Sequence, residues 1–547
     1  MYILGINGNI GRASHDPSAT ILKNGEIVFA AEEERYNGIK HSTGYIPILA
    51  IKNGLKFLNI NIKDISYLAI PQETWGDLFE NRIINIFYHW FGYCPPIKKF
   101  NHHLSHAASA YYSSGFKDEA IVYSIDGSGD SVSLSSYLFH KDRYKEIMIK
   151  KFPNSMGLFY SLITQYLGFY KNSDEYKLMS LSALGNPRYN LNDVISFNPS
   201  TGLRLNEKFL SEQAKNLRYP YYATSQEPFY SHEFEKYCKR RLPGSKIDQS
   251  HKDLAASAQK HFEDINISII KELINKTKCK NIIVSGGSMF NCKLVGEIIK
   301  NINPTYFYIS PFSDDCGTSV GASMLASIDL GVYPSKLKNA FLGNEFEDEY
   351  IKNVLMKNKI DYQQLNYTER YERLSHDIYN NLIVANFNHR MEFGPRALGN
   401  RSILANANRE GIRNKLNLLK KRYDFQPFAV AILEEYTEKY FYNYNIQSPY
   451  MNIAFKVRES MKNNLKHVIH YDDTVRVQTV DEESSELKLI IEKLMELYNI
   501  PYIVNTSFNM KGKPIISNPE EALAMFYATE IDVLYIGNFR ISKLGDN

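Results

Sequence analysis

Cysteine is scarce in this chain and is arranged for nothing covalent. The five residues Cys94, Cys238, Cys279, Cys292 and Cys316, among 547, are odd in number, far apart and include no CxxC. This argues against a disulfide framework and a zinc-thiolate site, and makes a reducing cytoplasm the default setting. Charge of one sign is also scarce, since 64 Lys and Arg face 60 Asp and Glu for a net +4. A protein that grips a nucleic-acid backbone needs a concentrated basic surface, and only short runs such as Lys236–Arg241 and Lys420–Arg422 are basic. No nucleic-acid partner is therefore expected. No stretch approaches the roughly 18 apolar residues of a membrane span, and the opening residues Met1–Gly5 enter a strand-like run without a basic leader, so no membrane role is expected either. The P-loop pattern GxxxxGK[ST] is missing as well.

What is present is the composition of an ordinary folded protein, 44% hydrophobic and 23% charged. A chain of 547 residues exceeds what one core organises, which predicts two or three domains. The first thirty residues read as three strands, Ile3–Ile6, Ser18–Leu22 and Ile27–Ala31, with a polar turn at Gly8–His15 and a hairpin signal at Asn24-Gly25. A similar series recurs at Ala120–Ile125, Val132–Phe139 and Tyr144–Ile149, which predicts a duplicated α/β lobe with an active site in the cleft between copies. Further strands at Ile282–Val284 and Tyr306–Ile309 each lead through a turn into a helical pattern, the arrangement in which α/β proteins bind ligands. The Tyr- and Pro-rich stretch Asn186–Ser245 reads either as an acceptor-recognition insertion or as a surface excursion. Composition shifts over 335–375, dividing the chain into 1–355 and 356–547. The second part has strands of its own and an amphipathic helix at Leu487–Leu497.

His102 and His106 stand four apart, so on a helix both imidazoles share a face and can share a metal. Alone the spacing also suits surface or core histidines with a capping role, and it is the company of Asp126, at the end of a strand, and Asp315, just before a helix, that favours a metal. Two imidazoles with two carboxylates suit Fe, Mn or Zn. His103 faces elsewhere and is expected to pack or to support the pair. His15 and Asp16 lie in the first turn, where a histidine can act as base toward an acceptor hydroxyl and the competing account is a plain turn cap. Lys40-His41 is ambiguous in the same way. Gly286-Gly287 and Gly317 form short turns that let backbone amides approach a phosphate, although such turns also occur wherever backbone is crowded. The densest polar cluster is His389, Arg390, Glu392, Arg396, Asn400, Arg401 and Arg409, to which Lys420, Arg422 and Arg476 add charge. As a group it suits ATP and a small phosphate-bearing substrate.

These residues fall into motifs that resemble the NodU/CmcH carbamoyltransferase family across nearly the full length. They are HDPSA from His15, AAEEER to Arg35 with Lys40-His41, HHLSHAA from His102, and Asp126-Gly127. Gly286-Gly287 with Asn291-Cys292 and Asp315-Cys316-Gly317 follow, then RMEFGPRALGNRSIL from Arg390, HYDDTVRVQTV from His470 and NTSFNMKGKP from Asn505. The resemblance implies an N-terminal part of two actin/sugar-kinase-like (ribonuclease H-like) lobes. There a metal on His102, His106, Asp126 and Asp315 assists carbamoyl transfer, with His15, Asp16 and Lys40 at the reacting groups. It implies a C-terminal α/β part similar to threonylcarbamoyl-AMP synthase that makes carbamoyl-adenylate from ATP, with Mg, and carbamoyl phosphate. Catalytic Arg396 and Arg401 belong there, and Gly286, Gly287, Asn291, Gly317, Arg390, Asn400, Lys420, Arg422, Arg476, Asn505, Ser507 and Asn509 are implied as binding residues. The acceptor is a small molecule or glycan bearing a hydroxyl, and a homodimer is left open. The chain departs from the family pattern at Tyr176, Tyr423, Gln426 and Lys513. Two other readings fit less of the sequence: a homologue that binds ATP and metal without turnover, and a tRNA-modifying relative, which the missing basic stripe disfavours.

Overall fold

Alternating apolar residues make Tyr2–Asn7 (β1), Ser18–Lys23 (β2) and Glu26–Glu32 (β3) an antiparallel meander in the computed structural model. The structure describes residues 1–9, 15–74, 76–216, 227–442 and 446–543, so most of the polar turn expected at Gly8–His15 lies outside the described residues. Strands β2 and β3 meet at Asn24-Gly25, both at positive φ, as a two-residue hairpin turn of this hand requires. Ile65–Ile70 (β4) then runs parallel to β1 and Ile97–Lys99 (β5) parallel to β4, giving a five-stranded sheet ordered β3-β2-β1-β4-β5.

The pattern repeats. Ala120–Gly129 (β6), Val132–His140 (β7) and Arg143–Lys151 (β8) form a second meander. After a small hairpin, Ile195–Asn198 (β9) with Gly202–Leu205 (β10), the strands Asn281–Ser285 (β11) and Tyr306–Ile309 (β12) add in parallel beside β6. The order β12-β11-β6-β7-β8, read from the other edge, matches the first sheet strand for strand and sense for sense. The expected duplication into two ribonuclease H-like lobes is therefore borne out.

Two buried helices lie between the sheets. His102–Ser114 follows β5 of the first sheet yet packs on β6, β7 and β11, while Thr318–Asp329 follows β12 of the second yet packs on β1, β2 and β4. The helices also touch each other, closely enough that a side-chain carbon on Gly321 would fall 1.8 Å from the Ser105 carbonyl oxygen. This exchange brings the first turn of one helix against the turn that precedes the other.

The remaining strands build one nine-stranded mixed sheet: Gln363–Gln364 (β13), Val384–Phe387 (β14), Arg401–Ala405 (β15), Ala429–Leu433 (β16), Ile453–Lys456 (β17), Thr474–Val480 (β18), Tyr502–Ser507 (β19), Val533–Ile536 (β20) and Phe539–Ser542 (β21). Leu374 and Ile378 of helix Tyr367–Tyr379 and Leu487, Ile490, Ile491 and Leu494 of helix Ser485–Tyr498 bury against Val384, Leu404, Ile503 and Val533. Contact density divides the chain into Met1–Glu33 with His41–Leu337 and Glu34–Lys40 with Lys338–Asn547. Among the described residues no helix is long and apolar enough to cross a membrane.

Candidate metal centre and substrate sites

The helix that carries the histidine pair is started by side chains from two places. Asn101 caps it by accepting the Leu104 N–H at 3.1 Å, and Asp130, from the turn after β6, accepts the His102 N–H at 2.9 Å. One helical turn then stacks His102 and His106, both buried, with their Nε2 atoms 3.1 Å apart. Asp126 Oδ2 lies 3.7 Å from His102 Nε2, and Asp315 Oδ1 lies 3.5 Å from His102 Nε2 and 3.4 Å from His106 Nε2. One ligand atom from each of the four residues falls within 4.8 Å of all the others. Ligands about 2.0–2.2 Å from a common cation stand about 3–3.6 Å from one another, so this spacing fits a four-ligand ion. Asp315 Oδ1 is buried with no hydrogen-bond donor aimed at it, which is the orphaned lone pair that a cation would satisfy.

The electrostatics agree. Burial alone would depress the His102 imidazole, but Asp315 and Asp126 outweigh it and hold the ring up at about 10. Burial would raise Asp315, yet the facing histidines, His15 first, drive it well below the carboxylate range. His103 is held down at about 3 by burial and by its two neighbours. It bonds to the Val132 carbonyl at 2.9 Å and Ser135 Oγ at 3.1 Å, the packing position expected of it.

His15 Nε2 comes within 3.6 Å of Asp315 Oδ2, while its Nδ1 donates to Asp16 Oδ2 at 2.8 Å. Burial opposes the imidazolium, and Asp315, Asp16 and Asp126 together still hold His15 up at about 10. A cation held among those carboxylates would cancel much of that attraction and lower the imidazole, so that Nε2 would more often be free of its proton. Lys40 lies in the segment grouped with the second unit and pairs with Glu34 at 2.8 Å.

The glycine turns serve close packing first. Gly286 holds φ +88, and a side-chain carbon there would fall 2.1 Å from the Ile125 carbonyl oxygen, one residue before Asp126. Gly287 faces Asp126 Oδ1, and Gly317 backs onto the Phe312 carbonyl at a position where added carbon would sit 1.9 Å away. Asn291 caps the helix Cys292–Ile302 through the Leu294 N–H and exchanges amide hydrogen bonds with Gln259 at 2.9 and 3.0 Å.

In the second unit most of the polar cluster is already engaged. Arg401 donates to the carbonyls of Asn388, Asn400, His389 and Asn344 at 2.6, 3.0, 3.0 and 3.4 Å, with its guanidinium 3.7 Å over the Phe387 ring. Burial lowers it to about 10 against the pull of Glu392. Glu392 Oε1 gathers the N–H groups of Leu398, Asn400 and Arg401, and Arg390 donates to the Gly343 carbonyl at 3.1 Å. Asn400 returns its amide to the Arg390 carbonyl at 2.8 Å. Lys420, buried and pushed well below the usual lysine range by burial and by Arg422, donates to Ser507 and Asn509. Arg422 lies 5.4 Å over the Phe428 ring. Asn505 is buried between the Ala397 carbonyl and Gln478, at 3.2 and 2.8 Å, while Arg476 sits on β18 opposite Ala454. Arg396 is partly exposed on the turn between these groups.

One buried ionic network has only His389 among the expected residues. Glu486 pairs with Arg370 at 2.8 Å and His389 at 3.2 Å, and accepts from Tyr371, Asn386 and Asn388. Glu486 and Arg370 sit on separate helices with no local pattern to link them, so only an unusual glutamate on an apolar helix face could have flagged the site.

Comparison with known proteins adds the following. Residues 79–324 match the family model Carbamoyltransferase N-terminus and residues 375–543 match Carbamoyltransferase C-terminus. An uncharacterised protein of Methanocaldococcus jannaschii is 32% identical over 97% of this chain and 98% of its own. The nodulation protein NolNO of Sinorhizobium fredii is 29% identical over 99% of this chain and 83% of its own. The 3'-hydroxymethylcephem-O-carbamoyltransferase of Streptomyces clavuligerus is 27% identical over 47% of each chain.

Proposed function

Because the chain belongs to the carbamoyltransferase family, we propose that water cleaves carbamoyl phosphate to carbamate and inorganic phosphate, that a carbamate oxygen attacks the α-phosphorus of ATP and displaces pyrophosphate to give carbamoyl-adenylate, and that the carbamoyl group then passes to a hydroxyl of a small molecule or glycan. In this reading residues of 356–547 form the adenylate and residues of 1–355 carry out the transfer. The convergence of His102, His106, Asp126 and Asp315 carries the reading, since one ligand atom from each lies within 4.8 Å of all the others, a set that can close around a cation. A divalent ion there, Fe, Mn or Zn, supplies charge to offset the phosphate of the departing AMP.

The chain's own groups account for the rest. His15 Nε2, held on the side of Asp315, takes the proton of the acceptor hydroxyl as its oxygen bonds to the carbamoyl carbon. The carbon–oxygen bond to the adenylate phosphate breaks, and AMP leaves with the electron pair. In the second domain Arg396 contacts the phosphates of ATP or carbamoyl phosphate, while Arg401, Lys420 and Glu392 hold the loops that place it. Incubating the protein with ATP, carbamoyl phosphate, a divalent metal and a pool of hydroxylated metabolites should yield pyrophosphate and a product heavier by one carbamoyl group. Tight ATP binding without pyrophosphate release would sink the proposal and leave a binding protein.

A further inference from the structure

Asp16 and His41 both hold left-handed backbone, at φ +52 and +63. That conformation is unfavourable for a residue with a side chain and persists only where its surroundings enforce it. Here the two residues enforce each other. The Asp16 N–H donates to the His41 carbonyl at 2.9 Å, and His41 Nδ1 donates to Asp16 Oδ1 at 2.8 Å. Asn7 braces the turn by donating to the carbonyls of His15 and Asp16 at 3.2 and 3.1 Å, and is itself held by Gln72 at 3.0 Å. An aspartate acting only as a turn cap accepts backbone N–H groups. Asp16 instead gives one oxygen to each of two imidazoles, His41 on Oδ1 and His15 on Oδ2.

A carboxylate that accepts a ring N–H fixes which nitrogen carries the proton and where the other one points. It does so only while the carboxylate itself cannot turn, and the second imidazole supplies that restraint. We infer that His41 is a positioning residue for carbamoyl transfer: acting through Asp16, it keeps the His15 Nδ1–H turned away and Nε2 turned toward the four-ligand centre. The inference rests on the reading of His15 as the base.

The test uses the full chain, zinc-loaded and labelled with nitrogen-15 at histidine, with His15→Gln assigning the His15 signals. In the wild type the His15 proton should reside on Nδ1. In His41→Ala and Asp16→Ala it should divide between the two ring nitrogens or move to Nε2, with zinc content unchanged. His41→Asn should restore the wild-type pattern, because its amide places a donor near the Nδ1 position and asparagine tolerates positive φ. Carbamoyl transfer should fall about 10- to 100-fold in His41→Ala and recover in His41→Asn. If His41→Ala does not fold, His41→Gln, whose donor is displaced by one methylene, carries the same expectation. A His15 proton that stays on Nδ1 in the alanine variant, or a folded His41→Asn that behaves like alanine, overturns the clamp. Transfer surviving in His15→Ala instead overturns the base role while leaving the nitrogen-15 result intact, so the two failures are told apart.

Discussion

The two polar clusters of this chain are built on opposite principles. Around His102, His106, Asp126 and Asp315 two imidazoles and two carboxylates converge at 3.1 to 3.7 Å, and buried Asp315 Oδ1 has no hydrogen-bond partner. Around Arg401 and Lys420 the charged donors already have backbone carbonyls to bond, four of them for Arg401 alone. The first cluster gathers ligand atoms around one point, whereas in the second Arg401 and Lys420 commit their charged donors to the backbone, although Glu392 Oε2 and Asn400 Oδ1 there are also buried without a partner. A dense run of charge in a sequence therefore points to chemistry only where its groups remain unsatisfied by one another.

The strongest way to break that contrast is to remove one member of the first cluster. His102→Ala or His106→Ala should lose the bound metal and cut carbamoyl transfer more than about 100-fold, the upper end of what losing a mere supporting partner costs, with the fold retained. Elemental analysis showing unchanged metal in both variants would reject these ligands.

The opposite test strikes a completed network. Burial pushes the Glu486 carboxyl up, but Arg370 and His389 pull it well below the usual glutamate range. Its contribution is therefore fully present above the ordinary glutamate pKa of about 4.5 and is lost as pH falls through the lower folded value. Glu486→Gln should cost about 3–5 kcal/mol at pH 7 by leaving buried Arg370 unpaired. The gap to wild type in urea unfolding should narrow as pH drops below about 4.5. A gap that stays constant with pH would show that the charge itself contributes nothing.

Within the second unit the contrast sharpens between two arginines. Arg401→Ala removes the guanidinium donor from the Asn388 and His389 carbonyls and should lower stability by about 3 kcal/mol, suppressing pyrophosphate release as a consequence. Arg396→Ala should weaken phosphate binding about ten-fold or more, from about 1.5–3 kcal/mol, with little change in melting temperature. Equal melting temperatures for the two variants would erase the distinction between holding the loop and holding the substrate.

How far these features were legible in the sequence follows the same division. Both meanders were readable because alternating apolar residues and the Asn24-Gly25 turn are local signals, and they appear as β1–β3 and β6–β8. The His102/His106 pair was readable because a helix converts a spacing of four into one face. What joins Asp315 to that pair is the exchange of two helices between sheets, a long-range packing event with no local pattern. Glu486 with Arg370 is a pairing across two helices, and the clamp of Asp16 by His41 depends on two left-handed residues meeting from separate turns. The arginine-rich segment was visible but misleading in part, since sequence lists donors and not the carbonyls that receive them.

The smallest expected effect concerns Gln426 and Tyr423, where the family pattern that the sequence resembles has arginine and glutamate. Gln426 is buried and its Oε1 accepts the Tyr423 N–H at 3.0 Å, while the Tyr423 ring stacks on Phe425 at 5.2 Å. The side chain thus closes a local turn. Arginine alone at 426 would lose that acceptor, at about 1 kcal/mol, and would bring a charge into a buried position with no partner. That loss offsets the about 1.5–3 kcal/mol a charged contact to phosphate could contribute, so Gln426→Arg should give a modest gain in substrate affinity or none. Tyr423→Glu supplies a carboxylate three residues away, within reach of the new guanidinium, and the pair should gain more than the two single changes summed. A double-mutant cycle on the apparent affinities for ATP and carbamoyl phosphate in pyrophosphate release measures the coupling. Strict additivity would mean that the glutamate does not orient the arginine. Equal loss in all three variants would mean that the Gln426 turn is itself required, placing this segment with the scaffolding of Arg401 and Lys420.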